Sequence, residues 1–82
     1  MENWFVYIAR VRSGRYYTGI STRPENRVKT HNSGKGARLA KQQGNFSLVY
    51  ISDPFANKSL ARKREIQVKG WSREKKERLI NI

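Results

Sequence analysis

The chain has 82 residues, one histidine, no cysteine, and 18 Lys+Arg against 6 Asp+Glu, for a formal charge of +12. That length allows one small domain, residues 1–82, and the composition excludes disulfides, thiolate zinc sites, cysteine nucleophiles and histidine clusters. No apolar run approaches the roughly 18 residues of a membrane span, and Met1 leads into a charged, aromatic segment unlike a signal peptide, so the expected compartment is the cytoplasm, with no membrane partner.

Trp4 to Val11 reads as a strand with apolar side chains on both faces, hence a central strand covered on two sides. Arg12-Ser13-Gly14-Arg15 is a turn, and Tyr16 to Ile20 returns as an antiparallel strand rich in β-formers. Thr22-Arg23-Pro24-Glu25 fits a capping box with Thr22 as the N-cap, opening a helix to about Asn32 that stops near Gly34. Ser33 to Gly36 is a loop, and Ala37 to Gln42 a short basic helix broken by Gln43-Gly44-Asn45. Phe46 to Ile51 is the third strand, alternating Phe46, Leu48 and Tyr50 against Ser47, Val49 and Ile51, and Asp53-Pro54 ends it. Asn57 caps a helix that runs through Lys69 to Gly70, and Ser72 caps a last helix with Glu74 at its positive end. One α+β domain accounts for all of these elements.

The charge is the first functional pointer. Solubility needs a net charge of about 2 to 8 in a small domain, and +12 exceeds it. Basic residues are spread along the chain, nine in residues 1–42 and nine in 43–82, so the body of the domain carries the field. Such a field attracts polyanions, nucleic acid above all. A basic protein of the membrane surface is the weaker reading, because Lys69 to Ile82 offers only Trp71, Leu79, Ile80 and Ile82 as an apolar face.

Five residues carry candidate chemistry: Tyr7, Tyr17, Arg27, His31 and Glu65. Arg27 and His31 lie four apart on the first helix and share a face. On the second, Leu60, Ala61, Arg64, Val68 and Trp71 crowd one arc, and Glu65 falls about 40° beyond its edge, among Arg62, Lys63, Arg64 and Lys69. It reads either as a helix-surface ion pair or as a carboxylate held ionised in a basic groove, where it could bind a divalent cation. Magnesium needs only one or two carboxylates beside water and phosphate oxygens, so one glutamate suffices for one ion and argues against two. Gly34-Lys35-Gly36 lacks the full phosphate-loop spacing; it is either a helix stop and turn or a contact for a backbone phosphate.

These residues together resemble the GIY-YIG nuclease superfamily, in particular its small single-domain bacterial branch, and the N-terminal nuclease domain of the excision-repair endonuclease. Phe5-Val6-Tyr7 stands at the GIY triplet and Tyr17-Thr18-Gly19 at YIG ten residues later, followed in order by Arg27, His31 and Glu65. Tyr17 to Thr22 and His31 to Ala37 carry the likeness to the small branch. Phe5 departs from the glycine of the first triplet, and Asn81 is not assigned to the family's C-terminal asparagine.

The resemblance implies a three-stranded antiparallel sheet flanked by helices and a metal-dependent endonuclease that hydrolyses phosphodiester bonds in DNA. It implies one Mg²⁺ or Mn²⁺ on Glu65, Arg27 on the scissile phosphate, one tyrosine activating the attacking water, and His31 orienting the site. Lys35, Arg38, Lys41, Arg64 and Lys69 are the expected nucleic-acid contacts. The alternative is a non-catalytic nucleic-acid-binding module that keeps the nuclease fold. A free tyrosine has a pKa near 10, and Arg27 with the positive field is expected to favour the phenolate. A two-residue loop at Ser13-Gly14 would pair Arg12 with Arg15 and put the two tyrosines on opposite sides of the sheet. The nuclease reading therefore predicts an odd-length loop or a bulge near Gly14 or Gly19, which brings them to one side.

Overall fold

The computed structural model describes residues 2–32 and 46–81, and of His31 and Asn32 the backbone alone. Strands β1 (Phe5–Arg10), β2 (Tyr16–Ser21) and β3 (Ser47–Ile51) form one antiparallel sheet in the order β2-β1-β3, with helices α1 (Pro24–Asn32), α2 (Lys58–Lys69) and α3 (Arg73–Ile80). β1 is central, as its two apolar faces require: Val6, Ile8 and Ala9 are fully buried and Tyr7 is only 1% exposed. The expected loop of residues 33–36, the short basic helix of residues 37–42, and Lys35, Arg38 and Lys41 all lie outside the described residues.

The hairpin has the odd loop. Arg10 pairs with Tyr16 as the last ladder pair, the Val11 N–H donates to the Arg15 carbonyl at 2.9 Å, and the Gly14 N–H donates to the Val11 carbonyl at 2.8 Å. Arg12, Ser13 and Gly14 thus form a three-residue loop, with Gly14 at φ +93°, a left-handed conformation that glycine adopts without steric cost. Tyr7 now faces Gly19 and Ala9 faces Tyr17, so side-chain alternation puts both tyrosines on one side. The first turn of α1 differs from the expected capping box. The Arg27 N–H bonds the Arg23 carbonyl, which makes Arg23 the cap and Pro24 the first helical residue, where a missing N–H costs nothing. The Ser21 hydroxyl accepts from the Arg23 N–H at 2.9 Å.

A second departure lies in β3. Ala9 pairs with Leu48 and Ile8 with Tyr50, so Val49 is an extra residue in a bulge. The bulge breaks the expected alternation: Leu48 joins Tyr7, Ala9, Val11, Val28, Phe46 and Tyr17 on the α1 side, while Tyr50 turns to the other. That other side holds Val6 and Ile8, and α2, which packs on β1 and β2, covers it with the fully buried Ala61 and Val68. At 100° per residue Ala61, Glu65 and Val68 span about 60° of α2. The inward face is therefore rotated from the expected arc, and Leu60 is 44% exposed. Asn57 caps α2 by accepting from the Leu60 N–H at 3.0 Å, and Ser72 caps α3 by accepting from the Lys75 N–H at 3.2 Å. α3 is tied to the hairpin by Arg73, which donates to the Gly14 carbonyl at 2.8 Å, and by Glu77, which accepts from the Tyr16 hydroxyl at 3.2 Å.

Candidate active site

β2 is an edge strand, and the sheet has helices on both sides, so residues of α1 and α2 can meet around that edge. They do so at Gly19. A Cβ on Gly19 would lie 2.7 Å from both Cζ and Oη of Tyr7, so the tyrosine ring occupies the space that any other residue would fill. Tyr7 crosses its neighbour strand in this way and presents its hydroxyl to a cavity of about 530 Å³ at the edge. The cavity wall holds Tyr7, Tyr17 and Gly19 from the sheet, Arg27 from α1, and Lys58, Arg62, Glu65 and Lys69 from α2, with Trp4 beside them.

Four of the five candidate residues thus come together: Tyr7, Tyr17, Arg27 and Glu65. The fifth, His31, lies in the last turn of α1 four residues after Arg27, and its side chain is outside the described residues. Lys69 is in the same cavity. Arg64 is not: it points away, 4.8 Å over the Trp71 ring and bonded to Gln67 at 2.8 Å. Sequence reasoning missed Trp4, Lys58 and Arg62. The last two were signalled by spacing, because 58, 62, 65 and 69 recur as one stripe along a helix.

The Glu65 side chain is only 8% exposed, and each carboxylate oxygen has a cation near it, Arg62 Nε at 3.9 Å and Lys69 Nζ at 3.7 Å. Both partners are more than half exposed, so the pairs close over a carboxylate that faces inward from the helix. Both readings of Glu65 therefore hold in part: it is paired, and it lies in a basic groove. Tyr7 and Tyr17 lean together with ring centroids 6.3 Å apart, and Tyr17 stacks on Phe46 at 5.5 Å.

The expected drift of the tyrosine toward phenolate is corrected for Tyr7. Burial pushes its pKa up to about 12, with the neighbouring Tyr17 and Glu65 adding to the rise. The charge and hydrogen bond of Arg27 pull it down, and they lose because the ring is out of water. Tyr7 is thus a neutral phenol at neutral pH. Tyr50, on the other side of the sheet, is also raised by burial, against the pull of Arg64.

Among the described residues no group of three or more His, Cys, Asp or Glu side chains could cage a metal, and no helix is long and apolar enough to cross a membrane. The arrangement offers one inward carboxylate, two phenols and four cations around a polar cavity. It can hold a phosphodiester by its oxygens and place hydroxyl groups against it.

The comparisons with known proteins bear on the family and the fold. Residues 3–78 match the model of the GIY-YIG catalytic domain. The UPF0213 protein YhbQ of Escherichia coli is 41% identical over 80 residues, which cover 98% of this chain and 79% of the relative, and the version in a second strain gives the same figures. In structure the chain is similar to the UPF0213 protein of Bacillus halodurans, solved by NMR in solution, with a TM-score of 0.60 and 42% identity over 96% of this chain and 83% of that one.

Proposed function

The chain belongs to the GIY-YIG catalytic-domain family, and on that premise we propose that it is a divalent-metal-dependent endonuclease, a single cytoplasmic domain that hydrolyses phosphodiester bonds in DNA. The observation that carries the reading is the convergence of Tyr7, Tyr17, Arg27 and Glu65 on one cavity whose wall also holds Lys58, Arg62 and Lys69. A positive field around one inward carboxylate suits a phosphate better than it suits a cationic or neutral substrate.

The donor set fits Mg²⁺ or Mn²⁺ in a specific way. One carboxylate facing a polar cavity, with no second acidic residue among the described residues of its wall, suits an ion that keeps its waters and takes further oxygens from a phosphate. Glu65 would hold that ion. When bound, it would supply Lewis-acid stabilisation of the charge that develops on the phosphoryl and leaving oxygens.

The chain's own groups do the rest. Arg27 offers a planar, cationic fork to two phosphate oxygens. Tyr7, held neutral by burial, donates its hydroxyl proton to a phosphate oxygen in a hydrogen bond and cannot readily accept one. The half-buried Tyr17, in the same wall, can hydrogen-bond the attacking water and orient it. Arg62 and Lys69, released from Glu65 as phosphates arrive, neutralise the neighbouring backbone.

One observation favours the alternative of a binding module without turnover: both oxygens of Glu65 already have cationic partners within 4 Å. The two readings part in a cleavage assay on branched, nicked, single-stranded and duplex DNA with Mg²⁺ or Mn²⁺. The endonuclease reading predicts metal-dependent cuts that Arg27→Ala abolishes. Binding without any cut, across all substrates and both metals, supports the module.

A further inference from the structure

The cavity extends past the groups that would handle a phosphodiester. Trp4 forms part of its wall, half-buried and held on a fixed backbone. Its N–H donates to the Phe55 carbonyl at 2.9 Å, and its own carbonyl accepts from the Phe55 N–H at 2.7 Å. Over the indole, 5.4 Å from the ring centroid, lies the ammonium of Lys58, the first residue of α2. Lys58 is itself exposed, so the cation over the indole reaches it from the solvent side. Lys58 stands two helical turns from Glu65 on the cavity stripe, about 10 Å along the axis, within reach of a neighbouring nucleotide.

We propose that Trp4 is a stacking platform for one unpaired nucleobase of the strand whose phosphate enters beside Arg27 and Glu65, so that the site takes single-stranded or locally unpaired nucleic acid. The inference rests on the nuclease reading above and specifies its substrate. A base inside a duplex has its faces covered by its neighbours; only an unpaired or extruded base can offer one to a side chain. Relative strength favours the exchange. A base stacked on an aromatic side chain tightens binding about 5- to 150-fold. An exposed cation over the same ring contributes only about two- to five-fold. The base therefore displaces the Lys58 ammonium, which is freed one turn from Arg62 to meet a backbone phosphate. At about 530 Å³ the cavity also lies in the size range of small-ligand sites, ~300–1,000 Å³.

The test uses the full chain without added metal, so that nothing is cut. The sequence has two tryptophans, and Trp71→Phe leaves Trp4 as the sole indole reporter. A short labelled oligothymidylate, the same strand in a blunt duplex, and the same strand made abasic serve as probes. Stacking predicts that the single strand quenches Trp4 fluorescence and the saturating duplex does not. It also predicts that Trp4→Ala raises the Kd for the single strand about 5- to 150-fold and changes the duplex Kd less than about two-fold, and that the abasic strand binds the unaltered protein as weakly as the base-bearing strand binds Trp4→Ala. Because the quenching readout keeps Trp4 in place, it stands even if Trp4→Ala fails to fold. Bound oligothymidylate with Trp4 unquenched overturns the platform and leaves the nuclease reading intact. Failure of every probe to bind overturns both.

Discussion

Replacing Gly19 with alanine isolates the contact on which the site is built. Gly14 is the one described residue with positive φ, so Gly19 is not demanded by the backbone; it is demanded by space. The added Cβ would stand 2.7 Å from Cζ and Oη of Tyr7 and 3.0 Å from Cε1, far inside ordinary van der Waals contact. Tyr7 is 1% exposed and its ring leans on Tyr17, so it cannot swing aside without disturbing the core. Overpacking of this kind costs about 1 to 3 kcal/mol. Against it, alanine in a strand interior is normally about 0.5 to 1 kcal/mol better than glycine. We expect urea unfolding of Gly19→Ala to show a net loss of up to about 2.5 kcal/mol, with the denaturant slope unchanged. Tyr7→Leu removes all three close atoms, and in that background Gly19→Ala should be neutral or stabilising. The coupling between the two changes is then about 1 to 3 kcal/mol. An equal cost in both backgrounds would refute the close-approach argument and with it the path by which Tyr7 reaches the cavity.

Two further outcomes follow from charge. Because burial raises Tyr7 from 10.0 to about 12, the folded state keeps its full stability below pH 10 and loses a contribution on the order of 2 kcal/mol as the pH climbs to 12; denaturant titrations across that window should show a smaller loss for Tyr7→Phe. Binding to duplex DNA should weaken with salt at a slope of about −4 to −5 in log K against log salt if four to six cations meet phosphates, and a flat dependence would remove the electrostatic basis of the interface.

Local chemistry made much of this structure legible in the sequence. Asn57 and Ser72 cap their helices as their side-chain oxygens allow, and the three-residue loop at Gly14 followed from asking how Tyr7 and Tyr17 could share a side. The bulge at Val49 was not legible, because strict alternation reads equally well through β3 and only the pairing with β1 reveals the extra residue. The face of α2 was misplaced for a related reason. Leu60 is apolar and drew the expected arc toward itself, yet it is exposed, while the charged Glu65 is buried because the cavity at the β2 edge gives it cations. The Tyr7 pKa failed in sign, since counting nearby cations omits desolvation, which only the fold fixes.

The central claim is that Glu65 serves chemistry and not adhesion. Cleavage rate and DNA affinity measured side by side for the unaltered chain and Glu65→Ala test it most directly, with Mg²⁺ or Mn²⁺ present for cleavage and absent for binding. The account predicts that cleavage falls by orders of magnitude while affinity holds or rises, because an anion has left a groove that meets phosphates and Arg62 and Lys69 are freed to pair with them. Unchanged turnover in Glu65→Ala would make the residue an ion-pair partner of α2 and contradict the account.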